Sequence, residues 1–406
     1  MENAKNMQRA RLSFQVAFLA LTVFAVWVVG ANAERWCPFG GVEALKTYVT
    51  DGTMTCSLGV SNFYALGGLL LAVLVVRRAF CSHVCPIGAL GEWFGRLGKR
   101  LRIKPARVPQ ALDRGLSLLK YGVLTLILYV TWNADELLFR TADPCYALLS
   151  RHGEDITFWA YVVTAVILLG ALFVSIPFCR WLCPLAAVMN PLSRFGLMRV
   201  RRDGEACVDC RKCEAVCPMN IAVSRVPEVT AARCTACLEC VSVCPPKIGP
   251  ALTVAIPGTS GRRWSHAALI GVLLIAIGSV VTVAYALPIA SFVKSRGEPP
   301  ATGATVELEV HGLHCRGTGT LLTYFLFRDD VFELTGYLQL EAWPEPGSSR
   351  VRVTYDPKQT DEASIKEAIV TPYFDELHNT ERESPFEIEG YAPWAMTGPR
   401  PDTAKR

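Results

Sequence analysis

Long apolar runs separated by charged loops occupy most of the first 290 residues, and shorter segments of mixed period follow. The apolar runs lie near Leu12–Gly30, Phe63–Val76, Leu116–Trp132, Phe158–Phe178 and Ala267–Ile289. A helix needs about twenty apolar residues to cross a bilayer. The second run reaches that length only if it starts at Val60 and ends at Phe80. Beyond residue 304 the pattern predicts a strand over 305–310, a helix over 316–328 and strands over 336–343 and 350–355. A helix over 361–370 and a weak strand over 386–389 complete it.

Composition sharpens the membrane reading. Hydrophobic residues make up 51% of the 406-residue chain, with mean hydropathy +0.29, above the usual apolar share of about 45–50%. The net charge of +5 is small and unevenly placed, which argues against nucleic acid as a partner. The loop after the second run carries Arg77, Arg78, Arg96, Lys99, Arg100, Arg102, Lys104, Arg107 and Arg114. Loops 31–61 and 133–157 carry two basic residues each, together with several acids, whereas loop 179–264 is basic again. The positive-inside rule then places both basic loops in the cytoplasm and everything after the fifth helix outside. Arg9, Arg11 and the apolar run before Ala31-Asn32-Ala33 imitate a secretory signal, but the run exceeds a typical signal core and reads as a retained helix.

Sixteen cysteines then dominate the chemistry. Between Cys207 and Pro245 the chain reads CVDCRKCEAVCP and later CTACLECVSVCP, two copies of C-x2-C-x2-C-x3-C-P. That spacing holds a pair of [4Fe-4S] clusters, the fourth cysteine of each run serving the other cluster. One cluster takes Cys207, Cys210, Cys213 and Cys244, and the other takes Cys234, Cys237, Cys240 and Cys217. A zinc site is the alternative, but one zinc ion needs four ligands and would leave half of the eight thiols idle.

A second repeat lies in the membrane half. RRAFCSHVCPIGALGEWFGRL at 77–97 is echoed 98 positions later by SIPFCRWLCPLAAVMNPLSRF at 175–195. The apolar core is therefore expected to be two helix hairpins, each ending in F-C-x3-C-P, plus one further helix. In a helical turn Cys81 with Cys85, and Cys179 with Cys183, share a face. A third cluster, a dithiol and a packing role all remain open for them. Cys37, Cys56 and Cys145, on the outer loops, are further redox candidates, although Cys37 with Cys56 can instead form a structural disulfide. Of the six histidines only His266 sits at an apolar helix, so paired axial ligands for an intramembrane haem are absent. No Rossmann glycine pattern or P-loop accompanies the cysteines.

Two F-C-x3-C-P units followed by two C-x2-C-x2-C-x3-C-P runs resemble the membrane polyferredoxins of the NapH, NosR and CcoG type over about residues 10–260. The resemblance implies passage of single electrons between a quinol or cytoplasmic donor and a periplasmic oxidoreductase or metal centre. The fifth helix with an exported tail is nearest the CcoG group, whose tail is immunoglobulin-like; this tail is not. Its β-α-β-β-α-β order is that of the ferredoxin-like split motif. V-H-G-L-H-C at 310–315 and V-R-V-T-Y-D-P at 351–357 resemble the heavy-metal-associated domain of copper and mercury carriers. That family's loop has two cysteines, whereas here Thr318 holds the second position. Cys315 with His314, and His311 nearby, could still hold Cu(I); docking is the other reading.

The expected fold class is a mostly α-helical membrane protein with a cytoplasmic bacterial-type 2[4Fe-4S] ferredoxin insert and a C-terminal α+β domain. Its parts are a four-helix core at 1–200, the insert at 201–260, the fifth transmembrane helix at 261–296, the exported domain at 301–393 and a tail at 394–406. The expected setting is the bacterial inner membrane, with the lipid bilayer, a redox partner protein and quinol as partners. A copper-delivering assembly factor and a membrane anchor with structural or sensory clusters are the alternative functions.

Overall fold

The computed structural model describes residues 2–30, 33–54, 58–106, 108–134, 139, 142–149, 158–244, 251–255, 266–313, 316–328, 334–344, 348–375 and 380–391. The chain divides into two compact units, Met1–Glu43 with Ser61–Leu287, and Ala44–Val60 with Pro288–Arg406.

The first unit is mostly helical. Helices Glu2–Phe24, Ser61–Val76, Leu119–Ala134, Phe158–Ala171 and His266–Ala286 form on the five apolar runs. Three stretches are long and apolar enough to cross a membrane: Gln8–Val29, Gln110–Asn133 and Ala267–Ala286. Ser61–Val76 and Phe158–Ala171 are apolar but shorter. The fourth run was expected to continue to Phe178 and stops at Ala171. Ile176, just before Pro177, then stands in the left-handed region at φ 40°.

The two F-C-x3-C-P units fold alike. In each, the second cysteine donates its backbone N–H five residues back, Cys85 to Phe80 O and Cys183 to Phe178 O, both at 2.9 Å. This wide π-type turn closes the first segment. Cys85 (φ −62°, ψ 122°) and Cys183 (φ −60°, ψ 116°) then turn extended and cap helices Pro86–Arg100 and Pro184–Ser193. The following proline fits because the first helical N–H has no intrahelical acceptor and proline's fixed φ is already helical. Gly88 is required here, since a Cβ on it would stand 2.0 Å from Cys81 O. The cysteines of each pair therefore do not ride one continuous helix, as the sequence suggested; the second one caps the next.

A two-stranded antiparallel ribbon, Arg199–Arg202 with Leu252–Ala255, brackets the cysteine-rich insert. Val200, Met219, Ile221, Val223, Val229, Leu238, Leu252 and Val254 share one apolar core with Val76, Ile87, Ile167 and Leu269 of the helical part.

The second unit is a five-stranded antiparallel sheet in the order Phe292–Arg296, Leu338–Trp343, Ser348–Tyr355, Ala304–His311, Glu387–Ile388. Val306, Leu308, Val310, Leu338, Leu340, Val351 and Val353 alternate inward and meet Leu322, Phe325 and Leu326 of helix Arg316–Phe327 and Ile365 and Ile369 of helix Glu362–Val370. Asp361 caps the latter through a 2.8 Å bond from Ser364 N. Strand Phe292–Arg296 lies where the sequence placed only the end of the fifth-helix region. It gains a further neighbour from the loop before Ser61: Val293 N donates to Gly52 O (2.8 Å) and Met54 N to Ser291 O (2.9 Å).

Candidate functional site

The two C-x2-C-x2-C loops share an unusual backbone. Asp209 and Arg211 in the first, and Ala236 and Leu238 in the second, all have φ between 47° and 53°. A non-glycine residue there costs about 1–3 kcal/mol, and the same two positions bear the cost in both copies. Arg211 and Leu238 each cap a short helix, Lys212–Val216 and Glu239–Ser242. Left-handed residues in such turns gather successive N–H groups into a concavity for an anion, as at phosphate and Fe–S sites.

Two cavities open at these loops. One of about 160 Å³ is lined by Cys207, Cys210, Cys213 and Cys244, beside Arg202, Arg211 and Lys212. The other, of about 20 Å³, is lined by Cys217, Cys234, Cys237 and Cys240, beside Val200, Met219, Ile221 and Val229. Each cavity thus takes three cysteines from one run and the fourth from the other. Among the described residues no three His, Cys, Asp or Glu side chains close on one point tightly enough for a single ion. A cubane spreads its thiolates more widely, because each binds a different iron, and four cysteines around a nest-lined cavity fit that group. Burial pushes the Cys217 thiol up to about 11 and that of Cys237 up to about 12. Cys213 and Cys244 are raised by the same cause. A cluster must therefore displace protons as it binds.

The inner cavity is braced by residues the sequence did not single out. Arg11, 1% exposed, makes paired 2.7 Å bonds to Glu92 and a 2.6 Å bond to Glu239. Arg96 bonds the same Glu92 oxygen at 2.6 Å. Gln8 Nε2 donates to Cys237 O at 3.4 Å. Burial pushes the Glu92 carboxyl up, but Arg11 and then Arg96 hold it below the usual carboxylate range overall. Asp113, fully buried, accepts from Arg180 (2.5 Å), Trp181 (2.8 Å) and Arg233 (2.5 Å). Arg180 lies inside the second C-x3-C-P unit and Arg233 precedes Cys234, so one carboxylate joins the two motifs. Ser82, inside the first unit, donates to Thr235 O at 2.6 Å. The polar character of Arg11 and Asp113 is visible in the sequence, but their partners lie 67 to 228 positions away.

Cys81 and Cys179 are buried, and Cys85 and Cys183 are partly so. Cys81, Cys85 and Cys183 are the strongest electrostatic neighbours of Cys179, so the structure brings the two repeats together. Cys145 has Asp143, Cys85, Cys37 and Cys183 as its neighbours. Cys37 carries a free thiol, pushed up to about 12 by burial and by Asp143. Cys56, its expected disulfide partner, lies outside the described residues. So do His314 and Cys315, the expected copper ligands; His311 ends its strand and Thr318 lies in the helix that follows.

Comparison with known proteins agrees with this geometry. Residues 58–105 and 156–203 each match a 4Fe-4S binding domain, and residues 199–245 match a 4Fe-4S dicluster domain. YccM of Escherichia coli (strain K12), named for electron transport, is 31% identical over 212 residues, 50% of this chain and 58% of that protein. NapH of Haemophilus influenzae, a ferredoxin-type protein, is 27% identical over 52% of this chain and 72% of its own length. The chain is a relative of the membrane polyferredoxins of the NapH and NosR type. NirI of Paracoccus denitrificans matches at 30% identity over 39% of this chain and 23% of its own length. The matched region thus spans little more than half of YccM and under a quarter of NirI. No solved structure matches the chain significantly. The chain thus carries 4Fe-4S binding domains, has three helices long and apolar enough to cross a membrane, and is related to YccM, NapH, NirI and NosR.

Proposed function

We propose that the chain passes single electrons from a quinol or a cytoplasmic donor to an oxidoreductase or metal centre on the other side of the inner membrane. The pairing of two four-cysteine cavities within one insert carries this reading. Such clusters, when bound, supply one-electron chemistry with no open coordination site. The chain's own residues hold the thiols in register, and Arg11, Asp113 and Ser82 tie them to the apolar helices.

The proposed topology has five crossings, the two shorter helices included. Phe158, Trp159, Val166 and Leu169 are 56–74% exposed, an apolar surface that lipid would cover. Sidedness has support beyond the basic loops. Gly52 and Met54 bond strand Phe292–Arg296, so the loop before Ser61 and the C-terminal unit occupy one side. Three crossings separate that loop from the dicluster insert, or one if neither shorter helix spans, an odd number in both cases. The insert then faces the opposite compartment, the cytoplasm by the positive-inside rule. A reporter active only outside is expected to work when fused after Arg296 and to fail after Arg202. The reverse pattern would overturn the route.

A further inference from the structure

The electron route above leaves the two C-x3-C-P units unused, and their surroundings hold an unbalanced charge. Arg78 is wholly buried. Its guanidinium donates to Asn190 Oδ1 (3.0 Å), to Cys179 O (3.2 Å) and toward Cys81 Sγ (3.8 Å), while its Nε finds no acceptor. No carboxylate is among these partners, and the groups whose charge bears most strongly on it are Cys81, Cys179 and Cys183. Lys120, 1% exposed, stands beside the same set, with Arg78, Cys183, Arg233 and Cys81 as its neighbours. Arg11 has the counter-ions Glu92 and Glu239, and Arg180 has Asp113, whereas Arg77, also buried, donates to Val229 O and Ala231 O. Burying a cation is costly unless it is paired; Arg78 lies against a cysteine sulfur and Lys120 stands beside the same thiols, so an anion made from those cysteines would balance both.

Ligand number leads to the same place. Each of the two stretches that match a 4Fe-4S binding domain contains only two cysteines, Cys81 with Cys85 and Cys179 with Cys183. A cluster of that kind takes four, so neither stretch completes a site alone. The fold supplies the missing half by setting the repeats against one another. The similar turns place Cys85 and Cys183 as caps of helices Pro86–Arg100 and Pro184–Ser193, and Gly88 keeps the first turn tight. A lone ion is a poor fit, since no three of the described ligating side chains converge on one point.

We propose that Cys81, Cys85, Cys179 and Cys183 together hold a third iron-sulfur cluster, whose negative charge is balanced by Arg78 and Lys120. The centre goes beyond the dicluster reading and does not depend on it. Ser82 and Arg180 connect it to the inner dicluster loop, and Cys85 and Cys183 connect it toward Cys145 and Cys37.

The test counts iron and acid-labile sulfide in the full chain, purified anaerobically in detergent and loaded until the count stops rising. About twelve irons per chain are expected, against about eight from the two ferredoxin runs alone. Cys81→Ser or Cys179→Ser should bring the plateau to about eight without altering the spectra of the other two clusters. Cys210→Ala with Cys237→Ala should leave about four, so that failure of the dicluster reading and failure of this one give different counts. Arg78→Gln should lose the same four irons and Arg78→Lys should keep them. A wild-type plateau of about eight, or of twelve unchanged by Cys81→Ser and Cys179→Ser, overturns the proposal.

Discussion

The two dicluster cavities share ligand spacing and backbone conformation but stand in opposite surroundings. The cavity of Cys207, Cys210, Cys213 and Cys244 opens to solvent at Cys210 and is edged by Arg202, Arg211 and Lys212. The cavity of Cys217, Cys234, Cys237 and Cys240 is small, lined by Val200, Met219 and Ile221, and fastened to the apolar helices by Arg11 and Asp113. Cluster potentials respond to net charge, hydrogen bonding and solvent exposure. Two cavities with the same number of thiols are therefore set apart by what encloses them, and clusters held in them as proposed would differ in potential and in access to solvent.

The harshest way to break this comparison is to remove one ligand from each side. Cys210→Ala should cost about four irons and leave the inner cluster visible by electron paramagnetic resonance. Cys237→Ala should cost the same iron and lower the melting temperature as well, because its loop is part of the shared core. Equal melting temperatures for the two variants would remove the distinction.

Next in size is the node at Asp113. Asp113→Asn should destabilise the detergent-solubilised chain by about 3–5 kcal/mol, the usual result of breaking a buried ion pair, and should shift the inner potential while leaving that of the outer cavity unchanged. An effect under 1 kcal/mol would mean that Arg180 and Arg233 find other partners.

Smaller, and more selective, is the effect of a positive charge. A buried cation favours the reduced, more negative cluster, so Arg11→Gln should lower the inner potential at any ionic strength. Arg202→Gln, at a half-exposed site, should lower the outer potential less, by an amount that fades as salt is added. Redox titration of both variants in low and high salt separates them.

The mildest effect is acid dependence. Glu92 is held below its ordinary value of 4.5 in the folded chain. Its contribution to stability is then fully present above about pH 4.5 and is lost as pH falls toward the lowered value. Glu92→Gln should flatten the pH–stability curve of the full chain in that window and leave it unchanged near pH 7. A wild-type curve already flat below pH 4.5 would count against the brace.

How much of this was open to reading from the chain differs between elements. The helices on the apolar runs and the strands of the C-terminal sheet were legible because periodicity is local: Val306, Leu308 and Val310 alternate inward whatever lies beyond them. Strand Phe292–Arg296 was not legible. It is five residues long, and what makes it a strand is the pairing with Leu338–Trp343 and the bonds to Gly52 and Met54.

The cysteine arithmetic belongs to the sequence, since a cluster's reach dictates the spacing of its ligands and a proline after the last cysteine of each unit suits the turn that follows. Which charges surround those cysteines was decided only by the fold. Arg11 and Arg78 each read as one more basic residue at the edge of an apolar run. Burial turned Arg11 into one end of an ion-pair network reaching position 239, and left Arg78 facing thiols with no carboxylate. The energy of a charge depends on its solvent and its neighbours, and in this chain both come from residues far away along the sequence.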